Sequence, residues 1–212
     1  MESKKEYRKE NQKVAENIIE KALMYAVIAH SGQVRKGKPT EPAIVHPLAV
    51  AEILRQYGAD DNVIAGGYLH DVPEDTDRTL EDIKNVFGED IEHLVDIASE
   101  LDKSKSWEER KKHKIEKMKT KTLREKLIVI ADKISNIEDL ERIFKEKGKV
   151  DFSAFRRGKE QQEWYYRNMY ESLANNEDRK DPLFTRLERG INSVFGRTMQ
   201  EYFEQNEVEE KM

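Results

Sequence analysis

The sequence predicts an all-α fold, a helical bundle with a C-terminal helical extension, and three observations carry that expectation. Apolar residues recur at helical spacing along most of the chain, as in Ile18, Ile19, Ala22, Leu23, Ala26 and Ala29. Charged residues (38%) match apolar ones (37%), with Ala, Glu, Lys, Leu and Ile abundant, which suits solvated helices that each bury one stripe. No strand–helix–strand alternation, internal repeat or low-complexity tract interrupts the pattern.

The elements follow from local signals. Residues 1–14 are polar and precede a helix over 14–30. The stretch 31–42 is a loop by its Gly and Pro content. Pro47 fits the first turn of a helix through Val50, Ile53 and Leu54 to Tyr57, capped by Gly58. Asp60 or Asp61 starts the next helix, which carries His70 and Asp71. Thr79 and Asp82 resemble a capping box for a helix that stops near Gly88. Asp90 is expected to cap another, with Ile91, Leu94, Val95 and Ile97 inward.

After a polar break at 102–106, a strongly charged helix begins at Trp107. Residues 123–147 read as one long helix ended by Gly148. A helix over 153–173 is expected to pack through Phe155, Trp164, Tyr165, Met169 and Leu173, its aromatics serving as core. Pro182 opens a helix ending near Gly196, and the acidic end around Tyr202 and Phe203 is a short helix or tail. The expected division is a domain over 1–175 and an extension over 176–212.

Composition narrows the function. A net charge of −5 gives the molecule no general attraction for nucleic acid or anionic membranes. The absence of cysteine removes disulfides, zinc ribbons and thiol catalysis. The N-terminus is charged, no run approaches transmembrane length, and a cytoplasmic location is the expectation.

The chemistry concentrates in Tyr68-Leu69-His70-Asp71-Val72-Pro73-Glu74-Asp75-Thr76. Four ionisable groups so close would repel one another unless something positive sits among them. Imidazole and carboxylate together suit a divalent Mn, Fe or Zn ion. His46 stands directly before Pro47 at the end of an irregular loop, and Asp132 lies within the apolar pattern Ile128-Val129-Ile130-Ala131-Asp132-Lys133-Ile134. An ionised carboxylate there is costly unless paired or bound to a cation. His46, His70, Asp71 and Asp132 would supply two nitrogens and two oxygens to a metal able to polarise a phosphoryl oxygen. Singly, each residue is ordinary: His46 could be a loop or core histidine, and Asp132 could pair with Lys133 or Arg142. The combination, in the order H…HD…D, is what points to a metal.

That order resembles the HD metal-dependent phosphohydrolases, and within them the hydrolase domain of RelA/SpoT-type proteins and the small alarmone hydrolases. The resemblance rests on His30-Ser31-Gly32-Gln33-Val34-Arg35-Lys36, His46-Pro47-Leu48-Ala49-Val50-Ala51, Leu69-His70-Asp71-Val72-Pro73-Glu74-Asp75-Thr76, Phe87-Gly88 and Ala131-Asp132-Lys133-Ile134-Ser135-Asn136. It covers about residues 18–173. It implies that His46, His70, Asp71 and Asp132 bind Mn²⁺, that Glu74 and Asp75 are the catalytic acidic pair, and that Arg35, Lys36 and Asn136 bind substrate. The implied reaction is removal of the 3′-pyrophosphate of ppGpp or pppGpp to give GDP or GTP and pyrophosphate.

Two departures stand out: Ala43 replaces an aromatic residue common in the family, and Val129 replaces a lysine. They leave the nucleotide open, with ppApp-like adenine nucleotides or the NADPH 2′-phosphate as other substrates. A regulator that binds alarmone without turnover is a further reading. No synthetase domain fits in the remaining residues, so degradation is expected, with a homo-oligomer or an alarmone synthetase as conceivable partners. Residues 103–126 hold eleven basic and four acidic side chains, a local charge of +7. They read as a solvated face that could also draw a polyanion, although RNA binding is weakly signalled without aromatic stacking platforms.

Overall fold

The computed structural model describes residues 17–35, 38–148, 152 and 157–209. Lys36, the 1–14 segment and the 153–156 start expected for the aromatic helix lie outside them. The chain divides into two compact units, one ending at Leu101 and the other beginning at Asp102. Among the described residues no helix is long and apolar enough to cross a membrane.

The first unit comprises α1 (Ile18–Ala29), a two-stranded antiparallel hairpin of β1 (Val34–Arg35) and β2 (Lys38–Pro42), then α2 (Val45–Tyr57), α3 (Asp61–Leu69), α4 (Val72–Asp75), α5 (Leu80–Phe87) and α6 (Glu89–Ala98). Among the described residues, the hairpin is the one departure from the all-helical expectation. Asp60 caps α3 by accepting from the amides of Asn62 and Val63, and Gly58 ends α2 in the left-handed region at φ 85°. The box of Thr79 and Asp82 forms as expected. Asp90 is not a cap: Gly88 occupies that position, and Asp90 lies inside the first turn, where its carboxylate accepts from Asn62 Nδ2 at 2.8 Å.

α3 is the centre of this unit, packing against α1, α2 and α6. Ala22, Ala26, Ala65, Leu69, Val72, Ile83, Ile91 and Val95 form the core. Small residues let the helices approach closely. A Cβ on Gly67 would lie 2.6 Å from Leu54 Cδ1 and 3.3 Å from the Ala51 Cα, both on α2. Leu54 is fully buried, so its side chain has little room to yield. Gly67→Ala should therefore destabilise by about 1–3 kcal/mol through overpacking, read as a lower denaturant midpoint.

The second unit comprises α7 (Trp107–Lys119), α8 (Leu123–Lys147), α9 (Lys159–Leu173), α10 (Pro182–Phe195) and α11 (Met199–Glu209). α8 has the expected length, is opened by a capping box of Thr122 and Glu125, and ends at Gly148 with φ 69°. α9 begins at Lys159 rather than 153, with Gly158 at its cap, while Tyr165, Tyr166, Met169, Tyr170 and Leu173 are core. α10 packs on α8 and α9.

A buried charge cluster fixes the last helix. Arg167, 0% exposed, bonds Glu163 Oε1 at 2.8 Å and the Arg197 carbonyl at 2.7 Å. Glu163 also takes two bonds from the Arg197 guanidinium. Both guanidinium groups lie over the Tyr202 ring, at 5.0 and 4.9 Å. Likewise, Lys126, 1% exposed, ties α8 to the Asn175 carbonyl and the Glu177 carboxylate, each at 3.1 Å.

Candidate metal centre

In the first unit, the approach of α2 and α3 that Gly67 permits brings His46, in the opening turn of α2, beside His70, the residue ending α3. Their rings lie 5.2 Å apart, centroid to centroid. His70 Nδ1 is 2.8 Å from the Gly67 carbonyl oxygen, which can only accept, so Nδ1 carries the proton and a neutral ring keeps its lone pair on Nε2. That Nε2 is buried, has no hydrogen-bond partner, and stands 3.2 Å from Asp71 Oδ1. His46 Nε2 is 3.7 Å from Asp71 Oδ2.

A lone pair facing a carboxylate oxygen at that distance is unfavourable unless a cation lies between them. Two donors that share an ion at about 2.1 Å each sit roughly 3–4 Å apart, so the spacing of these atoms fits a divalent metal. A ring N–H given to a backbone carbonyl is also the usual second tie of a ligating histidine, because it fixes the tautomer. The Ser99 hydroxyl, at the end of α6, lies 3.1 Å from the His70 carbonyl and 2.8 Å from the Val95 carbonyl, so its one proton serves both acceptors.

α4 presents the acidic pair. This helix is a single turn, too short to be stable by itself. Glu74 Oε1 accepts from the Glu100 amide at 2.7 Å, which orients the half-buried carboxylate, while Asp75 is exposed. The Asp75 carbonyl accepts from Gln33 Nε2 at 2.8 Å. Arg35, on β1, pairs with Glu41 of β2 at 2.8 Å.

In the second unit, Asp132 lies on α8 with Asn136 one turn on, and Asn136 Nδ2 donates to Asp132 Oδ1 at 2.5 Å. Lys133 Nζ is 2.7 Å from Asp132 Oδ2 and 5.3 Å from the Tyr165 ring centroid. Burial opposes the charge of Lys133, yet Asp132, Tyr165 and Tyr166 hold its pKa well above the ordinary lysine range. The pairing of Asp132 with Lys133 weighed from the sequence is therefore present. In the first unit, His46 and His70 offer ring nitrogens to a possible divalent ion.

Gly67, Ser99, Glu100 and Gln33 were not legible as site residues. All four act through main-chain groups or on main-chain groups, for which residue type gives no signal. Gln33 stands inside a motif that the sequence did single out, but nothing there indicates an acceptor 42 residues away.

The HD domain family matches residues 22–154. A Drosophila melanogaster guanosine-3′,5′-bis(diphosphate) 3′-pyrophosphohydrolase MESH1 is 39% identical over 121 residues, covering 56% of this chain and 67% of that one. A Myxococcus xanthus GTP pyrophosphokinase is 38% identical over 139 residues, 62% of this chain but 18% of the relative, so the chain spans about a fifth of the longer proteins it matches. The structure described as a metazoan ortholog of SpoT that hydrolyzes ppGpp aligns with TM-score 0.70 at 29% identity, covering 82% of this chain and 94% of that one. A Listeria monocytogenes EGD-e crystal structure aligns with TM-score 0.67 at 36% identity, over 72% and 99%. A match across well over half its length, with the His70–Asp71 pair inside it, means that this chain belongs to the HD domain family.

Proposed function

We propose that the chain hydrolyses ppGpp and pppGpp, using Mn²⁺, and releases pyrophosphate with GDP or GTP. The observation that carries this reading is the buried Nε2 of His70, held toward Asp71 by a ring whose other nitrogen is committed to Gly67. The similarity to 3′-pyrophosphohydrolases supports the choice of substrate.

His46, His70, Asp71 and Asp132 hold the ion in this reading. A bound divalent ion offsets charge on the phosphoryl oxygens and eases deprotonation of a nearby water. Glu74 and Asp75 orient that water and take its proton as the oxygen bonds to the phosphorus on the ribose 3′-oxygen. The phosphorus–O3′ bond breaks, its electron pair leaves on O3′, and solvent protonates the product hydroxyl. Arg35 and Lys36 engage the nucleotide, the guanidinium offering a plane for the base and the ammonium a point charge for phosphate. Asn136 serves the sugar and phosphate region. The pairing of Arg35 with Glu41 and of Asn136 with Asp132 supports side chains set before substrate arrives.

The test is pyrophosphate release from ppGpp by metal-stripped protein before and after Mn²⁺ is restored, beside pppGpp, ppApp and NADPH. The stripped protein should be inactive, and Mn²⁺ should return full turnover with the guanine nucleotides preferred. Faster phosphate release from NADPH would move the substrate elsewhere. Tight ppGpp binding without turnover would make the protein a regulator.

A further inference from the structure

Gln33 has hydrogen bonds from both its backbone and its side chain, and together they join the end of α1 to the acidic turn and the substrate-side hairpin. Its amide donates to the His30 carbonyl and its carbonyl accepts from the Ala43 amide, each at 3.0 Å, so its backbone ties the end of α1 to the residue after β2. Its side-chain Nε2 donates to the Asp75 carbonyl at 2.8 Å. That bond fixes the amide orientation, which leaves Oε1 to meet His30 Nδ1 at 2.9 Å. His30 is 4% exposed, so the far end of Gln33 is anchored on a buried ring.

The bond to Asp75 falls where α4 is weakest. Carbonyls in the last turn of a helix have no acceptor role to play within it, and α4 consists of its last turn. The Thr76 amide and hydroxyl both go to the Val72 carbonyl, which closes the turn. Gln33 donates to the Asp75 carbonyl from 42 residues away and stands two residues before Arg35.

We propose that Gln33 is a positioning residue: through the Asp75 carbonyl it sets the acidic turn in register with the strand that carries Arg35. This rests on the proposed hydrolase reading for its effect on rate, while the coupling itself is a property of the first unit. Gln33 does not touch the metal donors, and its loss should leave the ion in place.

The test uses Gln33→Met, which keeps the length and removes the donor, and Gln33→Glu, which keeps the shape and turns an acceptor toward the Asp75 carbonyl. In Mn²⁺-loaded full-length protein, amide exchange across 72–78 should rise about tenfold or more in both variants. On ppGpp, kcat should fall about 10–100-fold, with KM and Mn²⁺ affinity within about twofold of the parent. Unchanged exchange across 72–78 in both variants would overturn the proposal, as would unchanged kcat with a raised KM. If the parent itself fails to turn over ppGpp, the substrate reading falls and the exchange comparison still decides the role of Gln33. Should Gln33→Met fail to fold, Gln33→Glu carries the same comparison.

Discussion

The Glu74→Gln/Asp75→Asn double variant should lose about 10³-fold or more of kcat on ppGpp while still binding Mn²⁺ with parental affinity. Both changes keep side-chain shape and remove the capacity to accept a proton. The amide that replaces Glu74 can still place its carbonyl oxygen toward the Glu100 N–H, so the turn should keep its conformation. Neither residue is among the proposed metal donors, which is why rate and metal affinity should separate. Rapid-quench turnover beside calorimetric Mn²⁺ titration reads both. A variant with near-parental kcat would remove the acidic pair from the mechanism. A variant that lost the metal would instead make the pair part of the ion's coordination.

Glu163→Ala should be the most destabilising single change in the second unit, by about 3–5 kcal/mol, because it leaves the fully buried Arg167 without its counter-charge. It also releases Arg197, whose guanidinium takes both Glu163 oxygens, and so loosens the segment carrying Tyr202. Burial alone would raise the Glu163 pKa, yet hydrogen bonds from Arg197 and Arg167 hold it below the ordinary glutamate range. The folded value is therefore the lower one. The stabilisation is complete above the unfolded value and is lost as the pH falls through the folded one. Urea unfolding at neutral and acid pH should show the parent converging on Glu163→Ala only in acid. Equal stability of the two at neutral pH would show that the cluster contributes nothing net.

Much of the fold was legible because its signals are local. Thr79 and Asp82 announce a helix start through hydrogen bonds within one turn, and Gly58 and Gly148 announce ends through φ of 85° and 69°. The long run of apolar positions from Leu127 to Leu140 gave α8 its length for the same reason. The hairpin was not legible: two residues in β1 are too few to show alternation, and Pro within β2 argues against a strand. Asp90 misled because residue type favours a cap there, whereas Gly88, with φ 90° and ψ 172°, makes the break two residues earlier.

The candidate centre divides along the same line. His46, His70, Asp71 and Asp132 were named by residue type and order, and the first three do gather around the Gly67 approach of α2 and α3. What holds His70 and the neighbouring Glu74 is tertiary: the Gly67 carbonyl and the Ser99 hydroxyl meet His70, and the Glu100 amide meets Glu74. A carbonyl or an amide is present at nearly every position, so no sequence pattern distinguishes the ones that matter. Gln33 is the intermediate case, conspicuous in the loop motif but without a role until the Asp75 carbonyl is seen beside it.

Crystals grown with Mn²⁺ and measured on both sides of the manganese absorption edge test the central claim most directly. The account predicts one anomalous peak per chain, with His46 and His70 through their Nε2 atoms and Asp71 and Asp132 through carboxylate oxygens as its protein ligands. No peak between His70 and Asp71, or a peak that Asp132 does not reach, would contradict it.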